Sequence, residues 1–215
     1  MSPLAKIAGP IALSAGLAVI VTRLVIIATI PADLHGVQAA VRDTTHAING
    51  PASIVAFSLL IVALFAIYER EAVAAGAFGV VGLFGAVIGT VFMAGDWWYE
   101  AFAVPWLADV APVVFETGAG GRLFLGGMTS FVLFGLGWTL FAAAGIRART
   151  FPMPISAAIL VGAVLASIPI AGAYLFGSLV FGSALCWLGV WMARSSASTV
   201  SALRPALGAS PAADR

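Results

Sequence analysis

The chain has 215 residues, of which 62% are hydrophobic and only 9% are charged. A soluble domain carries about 25% charged residues, so this composition excludes a soluble globular domain and predicts an integral membrane protein. The net charge of +1 gives no reason to expect a nucleic-acid partner. A single cysteine excludes an intramolecular disulfide and a multi-cysteine zinc site.

Six apolar stretches approach the roughly 20 residues that a helix needs to cross a bilayer core. We predict an all-α polytopic bundle whose transmembrane helices lie at 7–30, 52–68, 72–95, 123–146, 155–174 and 176–193. The boundary between the last two is expected near 175–177. This membrane domain covers residues 1–194, and the Ser, Ala and Pro content of 195–215 predicts a disordered tail.

Basic residues in the short connections predict the orientation of the bundle. With the N-terminus in the cytoplasm, seven Lys and Arg residues fall on the cytoplasmic side, and only Arg42 and Arg122 fall outside. The C-terminus is then also cytoplasmic. Six acids fall on the outer side, which makes that face acidic: Asp33, Asp43, Asp96, Glu100, Asp109 and Glu116.

The connection 31–51 is long enough to form structure of its own. Leu34, Val37, Val41 and Ile48 recur at helical spacing beside a polar stripe, which predicts an amphipathic helix on the outer membrane surface. Asn49-Gly50-Pro51 is expected to turn into the second helix. His35 and His46 would lie about 16 Å apart on one helix, too far to share a metal ion, so no metal site is predicted.

The stretch GDWWYEAFAVPWLADVAP, residues 95–112, combines acids with aromatic residues. Asp96 and Glu100 are four residues apart and therefore share one helix face. Pro105 disfavours helical geometry at Val104, so the third helix is expected to end at about Ala103, with a kink at Gly95. An aromatic belt at headgroup depth accounts for four residues: Trp97, Trp98, Tyr99 and Trp106.

Arg23 is the one charge well inside a predicted span, about 10 Å below the outer end of the first helix. A cation at that depth needs a partner or a route to water, and its side chain can extend outward toward the headgroups. Asp96 and Glu100 are the expected partners. Two interpretations stay open: an ion pair that docks the first and third helices, or a cation that positions a catalytic or ligand-binding carboxylate.

Glycines predict how the helices associate, because helices in lipid pack through small residues that let backbones approach. Gly82, Gly85 and Gly89 share a narrow arc of the third helix at about 100° per residue. We expect this arc to be a packing surface.

Three segments carry a resemblance to known proteins: YEREAVAAGAFGVVG, GDWWYEAFAVPWLADVAP and GWTLFAAAGIRARTFP. Together, over about residues 68–152, they resemble a group of poorly characterised multipass membrane proteins of actinobacteria. The resemblance implies a six-helix bundle in a bacterial inner membrane and implies no activity. The chain is also similar to small integral-membrane terpene cyclases, in size and in its membrane-face carboxylates with surrounding aromatics; no catalytic residue is carried over.

Three functions are open at this point. The first is a protein that binds a lipid-like ligand or a partner at its outer rim through Arg23, Trp97, Trp98, Tyr99 and Trp106. The second is a membrane-embedded acid/base enzyme that acts on an isoprenoid or lipid, with Asp96 and Glu100 as catalytic carboxylates and the aromatic faces stabilising a developing cation. The third, a small transporter, is disfavoured by the single intramembrane charge.

No cofactor and no metal ion are implied by these residues. The expected partners are membrane lipid and an isoprenoid or other lipid-like small molecule. The sequence leaves the oligomeric state open, including a homo-oligomer.

The predicted orientation places Asp109 and Arg147 on opposite sides of the membrane. Single-cysteine variants at these positions, in a Cys186→Ala background, should react differently with an impermeant maleimide added to intact cells. We expect labelling of Asp109→Cys from outside and labelling of Arg147→Cys only after the cells are opened. Equal labelling of both in intact cells would contradict the topology.

Overall fold

The structure, a computed structural model, describes residues 3–29, 41–111, 113 and 121–208, and describes the backbone alone at 71, 123, 171 and 196–208. The regular structure in this part of the chain is helical, which confirms the predicted all-α class. The elements are α1 (Pro3–Thr29), α2 (Thr44–Trp98), a π-helical turn (Tyr99–Ala103), α3 (Val104–Val110), α4 (Gly121–Ala148), α5 (Met153–Ala166) and α6 (Ala171–Gly208).

Five helical segments of the described chain are long and apolar enough to cross a bilayer. They are Pro3–Thr29, Thr44–Arg70, Ala72–Val110, Phe124–Ala148 and Gly172–Ser195. The predicted fifth span differs, because α5 has 14 residues and a length of about 21 Å, against a hydrocarbon core of about 30 Å. The described helices therefore support a membrane-spanning helical bundle, and six full crossings stay a prediction.

The boundary predicted near 175–177 is wrong, because the chain breaks earlier, at 167–170. Pro169 has no N–H to continue the helix, and the N–H of Ser167 bonds to the carbonyls of Ala163 and Val164 at 3.0 and 3.2 Å. The next helix, α6, then begins at Ala171 and continues to Gly208. Its backbone is thus helical beyond residue 195, where composition predicted a disordered tail, and 209–215 lie outside the described residues.

A single glycine divides α2 into two antiparallel arms, 44–75 and 77–98. Gly76 has φ 55° and ψ −151°, a conformation that glycine adopts without steric cost. The first arm and the continuation of the second meet again far from this turn, where a Cβ on Gly50 would lie 2.6 Å from the Cβ of Ala101. This hairpin brings the acidic stretch beside the start of α2.

The predicted turn at Asn49-Gly50-Pro51 is wrong, since all three residues lie inside α2. Gly50 has no Cβ to clash with the Pro51 ring, so it can precede proline in helical geometry. The helix instead begins at Thr44, and its N-cap residue Asp43 accepts a hydrogen bond from the Thr45 N–H through Oδ1 at 2.7 Å. The hydrogen bonds from Thr45 hold the pKa of Asp43 below its ordinary value.

Residues 31–40 of the predicted amphipathic helix, including His35, lie outside the described residues. From Thr44 onward the remainder belongs to α2, and Val41 is buried just before it.

The helix predicted to end at about Ala103 continues to Val110 as α3, so that boundary is also wrong. The turn Tyr99–Ala103 is π-helical, and the N–H of Val104 bonds to the carbonyl of Tyr99, five residues back. This wider turn separates the Pro105 ring from the preceding carbonyls, which an α-helix would bring into conflict. Gly95 keeps helical geometry inside α2 without the expected kink.

Close backbone contacts set the order of the helices. The glycine arc of α2 packs against α4 as expected, and a Cβ on Gly82 would lie 2.9 Å from the Cα of Phe141. A Cβ on Gly9 of α1 would lie 2.9 Å from the Gly189 carbonyl of α6, and one on Gly162 of α5 would lie 2.7 Å from the Phe181 Cα. These contacts place α4 against α2, α5 against α6, and α6 against α1, so the first and last helices of the bundle are also neighbours.

The interior between these helices is aromatic. Trp138 and Phe181 lie with ring centroids 4.7 Å apart in an edge-to-face arrangement, and the indole N–H of Trp138 donates to Thr90 Oγ1 at 2.9 Å.

The bundle has two unlike ends, which we call the acidic end (Asp96, Glu100 and Asp109) and the basic end (Arg70, Arg147 and Arg194). The basic end holds the hairpin of α2 against α6, where Arg70 donates to the Met192 carbonyl at 3.3 Å.

Gly89→Ala tests the packing surface, because the new Cβ would overlap the carbonyl of Leu133. We expect the free energy of unfolding to fall by about 1–3 kcal/mol, measured by denaturant titration in detergent. Gly95→Ala is the matched control on the same helix, since its Cβ meets nothing within 4 Å. Equal stabilities of the two variants would contradict this account of the α2–α4 contact.

Candidate functional site

The acidic half of the bundle contains a fully buried arginine. Arg23 of α1 is 1% exposed and lies about 26 Å along the helix from Lys6. Its guanidinium donates to the hydroxyl of Tyr174 on α6, to Ser53 Oγ of α2 at 2.8 Å and to its neighbour Thr22 Oγ1 at 3.4 Å. Three helices that are distant in sequence thus meet at one cation.

Aromatic rings surround the same group. The guanidinium carbon lies 4.0 Å from the ring centroid of Trp97, 5.7 Å from that of Tyr174 and 5.9 Å from that of Phe57. Trp97 comes from the second arm of α2 and Phe57 from the first arm. The cation–π stack therefore fixes the hairpin of α2 against α1.

The predicted ion pair of Arg23 with Asp96 or Glu100 is wrong. Among the described residues no carboxylate lies within 4.0 Å of Arg23, whereas Arg42 pairs with Asp109 at 3.0 Å. Adjacent helical residues point about 100° apart, so the face that turns Trp97 toward Arg23 turns Asp96 away from it. Asp96 lies instead beside α4, with Oδ1 3.9 Å from the position of a Cβ on Gly127.

The expected outward extension of Arg23 is also wrong, because its side chain is 1% exposed. A charged arginine at the bilayer centre costs between about 3 and 17 kcal/mol, depending on how it is measured, and the cost falls toward the headgroups. A desolvated cation–π contact offsets about 2 kcal/mol, and its hydrogen bonds go to neutral oxygens. Arginine keeps its charge in proteins, so the described surroundings of Arg23 contain a cation without an anion.

A small cavity lies beside the guanidinium, with a volume of about 10 Å³. That is room for one water-sized group. Its polar lining comes from Arg23, Tyr174 and Ser178, and its apolar lining includes Phe57, Met93 and Phe134. The cavity is therefore mostly apolar, with the Arg23 guanidinium on one side, and we call it the Arg23 chamber.

The two candidate catalytic carboxylates lie outside this chamber. Asp96 and Glu100 are both partly buried, one turn apart, and within the described residues neither has a basic side chain within 4.0 Å. His46 Nε2 lies 3.1 Å from the backbone carbonyl of Glu100 and so joins the start of α2 to the π-helical turn. In the same part of the chain no three His, Cys, Asp or Glu side chains are grouped to hold a metal ion.

An ion pair and a hydrogen bond connect Arg42 to α3 at the outermost part of the acidic end. Arg42 pairs with Asp109 and donates to the Ala108 carbonyl, while Val41 packs against Val104 and Ala108. The Arg42 and Asp109 side chains are 46% and 68% exposed, so the ion pair contributes at most about 1 kcal/mol. Asp109 is therefore a surface acid that helps to hold α3, apart from the chamber.

The four aromatic residues predicted as a belt separate into two groups. Trp98 and Trp106 are 57% and 61% exposed, as a lipid-facing belt requires. Trp97 is 9% exposed and faces Arg23, and Tyr99 is partly buried against Val104. The side chains that accept hydrogen bonds from Arg23 on other helices, Tyr174 and Ser53, were not predicted from the sequence, where their only signal was a hydroxyl inside an apolar helix.

The comparisons with known proteins found no match. No protein-family model matches the chain, no curated protein matches its sequence, and no solved structure matches its fold.

If Arg23 serves to bind an anion and is not needed for folding, an apolar replacement should be tolerated. We expect the double variant Arg23→Met, Tyr174→Phe to unfold in detergent at a temperature equal to or above that of the wild type, because it removes a buried cation together with its hydroxyl partner. Arg23→Met alone should be less stable than the double variant, since it leaves the Tyr174 hydroxyl without Arg23. A double variant that unfolds at a clearly lower temperature would make Arg23 a folding residue.

Proposed function

We propose that this membrane protein binds an isoprenoid or another lipid-like amphiphile at its acidic end, and that this end faces away from the cytoplasm in a bacterial inner membrane. The observation that carries the proposal is the early end of α5 beside the Arg23 chamber. Among the described residues, side chains of α4 and α6 separate the cavity from lipid at that level, whereas α5 does so over its own length.

The levels of α4, α5 and α6 relative to one another follow from the close contacts of two glycines. A Cβ on Gly177 of α6 would meet the backbone of Ala166, the last residue of α5, and a Cβ on Gly135 of α4 would meet the Ser167 side chain. Phe131 and Tyr174 lie about one turn beyond these contacts on α4 and α6. Their rings, with centroids 5.5 Å apart, bridge the two helices above the end of α5.

Tyr174 is therefore shared between the chamber and the lipid-facing surface. Its hydroxyl contacts Arg23, its ring contacts Phe131, and it is only partly buried. Because α5 is about 9 Å shorter than the bilayer core, an apolar chain can approach this ring pair from the bilayer. This supports a ligand that arrives within the membrane.

The aromatic belt indicates the depth of the chamber. Tryptophans of membrane proteins concentrate at the headgroup interface, and Trp98 is the exposed neighbour of Trp97, which stacks on Arg23. The guanidinium is then within a few ångströms of headgroup depth. An amphiphile with its tail in the bilayer core would have its polar end at that height.

The acid/base enzyme is the second candidate, and the partly buried pair Asp96 and Glu100 favours it. One feature weighs against it: the ring face of Trp97 is occupied by Arg23 at 4.0 Å and is not free to stabilise a carbocation. Asp96→Asn and Glu100→Gln discriminate the two functions. A binding protein returns its ligand chemically unchanged in wild type and in both variants, whereas an enzyme loses turnover in them.

A benzophenone amino acid at position 131 tests the binding proposal. After irradiation of native membranes, we expect it to capture one lipid-like species well above that species' share of total lipid. The same probe at Phe176, which is 62% exposed on α6, is the matched control and should capture lipids in proportion to their abundance. Mass spectrometry of the adducts gives both compositions, and adducts at 131 that mirror bulk lipid would remove the proposal.

A further inference from the structure

We infer that the amphiphile carries an anionic oxygen head, and that one of its oxygens takes the position at Arg23 that the Tyr174 hydroxyl now occupies. This inference rests on the proposed function and names the ligand's chemistry. The head is a carboxylate or a phosphate on an apolar chain.

The first argument is charge. Arg23 is 1% exposed, and its hydrogen bonds within the described chain go to three hydroxyl groups. The bond from the guanidinium to a hydroxyl is already assisted by one charge, and an anionic oxygen adds the attraction between two opposite charges, which is strong at low dielectric. An anion at this place therefore gains more than the phenol does, and it neutralises the buried charge.

The second argument is donor geometry. A guanidinium has five N–H donors in a planar fork that matches two oxygens of a carboxylate or phosphate. One terminal nitrogen binds Tyr174 and the other binds Ser53 and Thr22. Loss of the Tyr174 contact frees donors on the side of the cavity, while the other nitrogen stays anchored.

The third argument is space. The cavity beside Arg23 has about 10 Å³, enough for one oxygen atom with its contacts, and Ser178 lines it with a further hydroxyl. A head oxygen can thus enter without separating the helices. The Trp97 stack at 4.0 Å holds the cation in place while the oxygens exchange.

The fourth argument is that Tyr174 is placed to move. It lies in the first turn of α6, directly after the break at 167–170, and its N–H bonds to the Ile170 carbonyl at 2.9 Å. Terminal turns are the least constrained part of a helix. Outward rotation of this side chain, with its Phe131 contact, would open the chamber toward lipid between α4 and α6.

Two lipids with the same tails and different heads test the inference. The purified full-length protein is placed in nanodiscs of phosphatidylcholine doped with either phosphatidic acid or diacylglycerol, and bound lipid is counted by native mass spectrometry. We expect the wild type to prefer phosphatidic acid by at least about tenfold, the factor that one charge-assisted hydrogen bond provides. Arg23→Gln should abolish the preference.

The control Arg147→Gln removes the same charge at the basic end and should leave the preference unchanged. Tyr174→Phe removes the competing hydroxyl, and it should tighten phosphatidic acid binding about 5- to 10-fold without changing diacylglycerol binding. This second variant keeps the inference testable if Arg23→Gln does not fold. Unchanged or weaker binding of phosphatidic acid to Tyr174→Phe would overturn the exchange.

The remaining outcomes separate the two proposals. Retention of both lipids to the same extent leaves an amphiphile-binding protein and overturns the anionic head. Retention of neither contradicts both. Inorganic phosphate, added at the concentration of the doped lipid, should not displace phosphatidic acid; if it does, the site recognises the free anion, and the amphiphile is the wrong ligand class.

Discussion

A buried cation in an apolar solvent is the constraint that organises the acidic half of the bundle and its candidate site. Arg23 can neither reach water nor, among the described residues, pair with a carboxylate. Its surroundings instead supply a tryptophan face from one arm of α2, a serine from the other arm and a tyrosine from α6. These contacts lower the cost of the charge only in part, and the remaining cost is what a bound anion would relieve.

The second arm of α2 presents its aromatic and acidic side chains at the acidic end on two different faces. Trp97 points to the chamber, and Asp96 points to α4, because neighbouring residues on a helix cannot share a face. Asp96, which sequence spacing favoured as a partner of Arg23, is therefore kept apart from it. The π-helical turn then carries the helix past Pro105 and positions α3 against Val41, which covers this end of the bundle.

Helix length decides where the bundle is open to lipid. The close glycine contacts hold α1, α2, α4 and α6 tightly along most of their length. At the end of α5 the same packing cannot continue, and the Phe131–Tyr174 ring pair closes the gap. Side chains rotate at far lower cost than helices separate, so this is the place where a membrane molecule can reach the interior without disrupting the core.

The sequence by itself determined the solvent and the class of the protein, because few charges and long apolar stretches permit only helices in a membrane. It also singled out Arg23 and the residues of the acidic end. Only the tertiary structure decided the partners of Arg23, since Ser53, Trp97 and Tyr174 come from helices whose rotation is fixed by glycine contacts far along the chain. The helix through Pro105 was decided there too, because the tendency of proline to end a helix yields when a wider π-helical turn separates its ring from the preceding carbonyls.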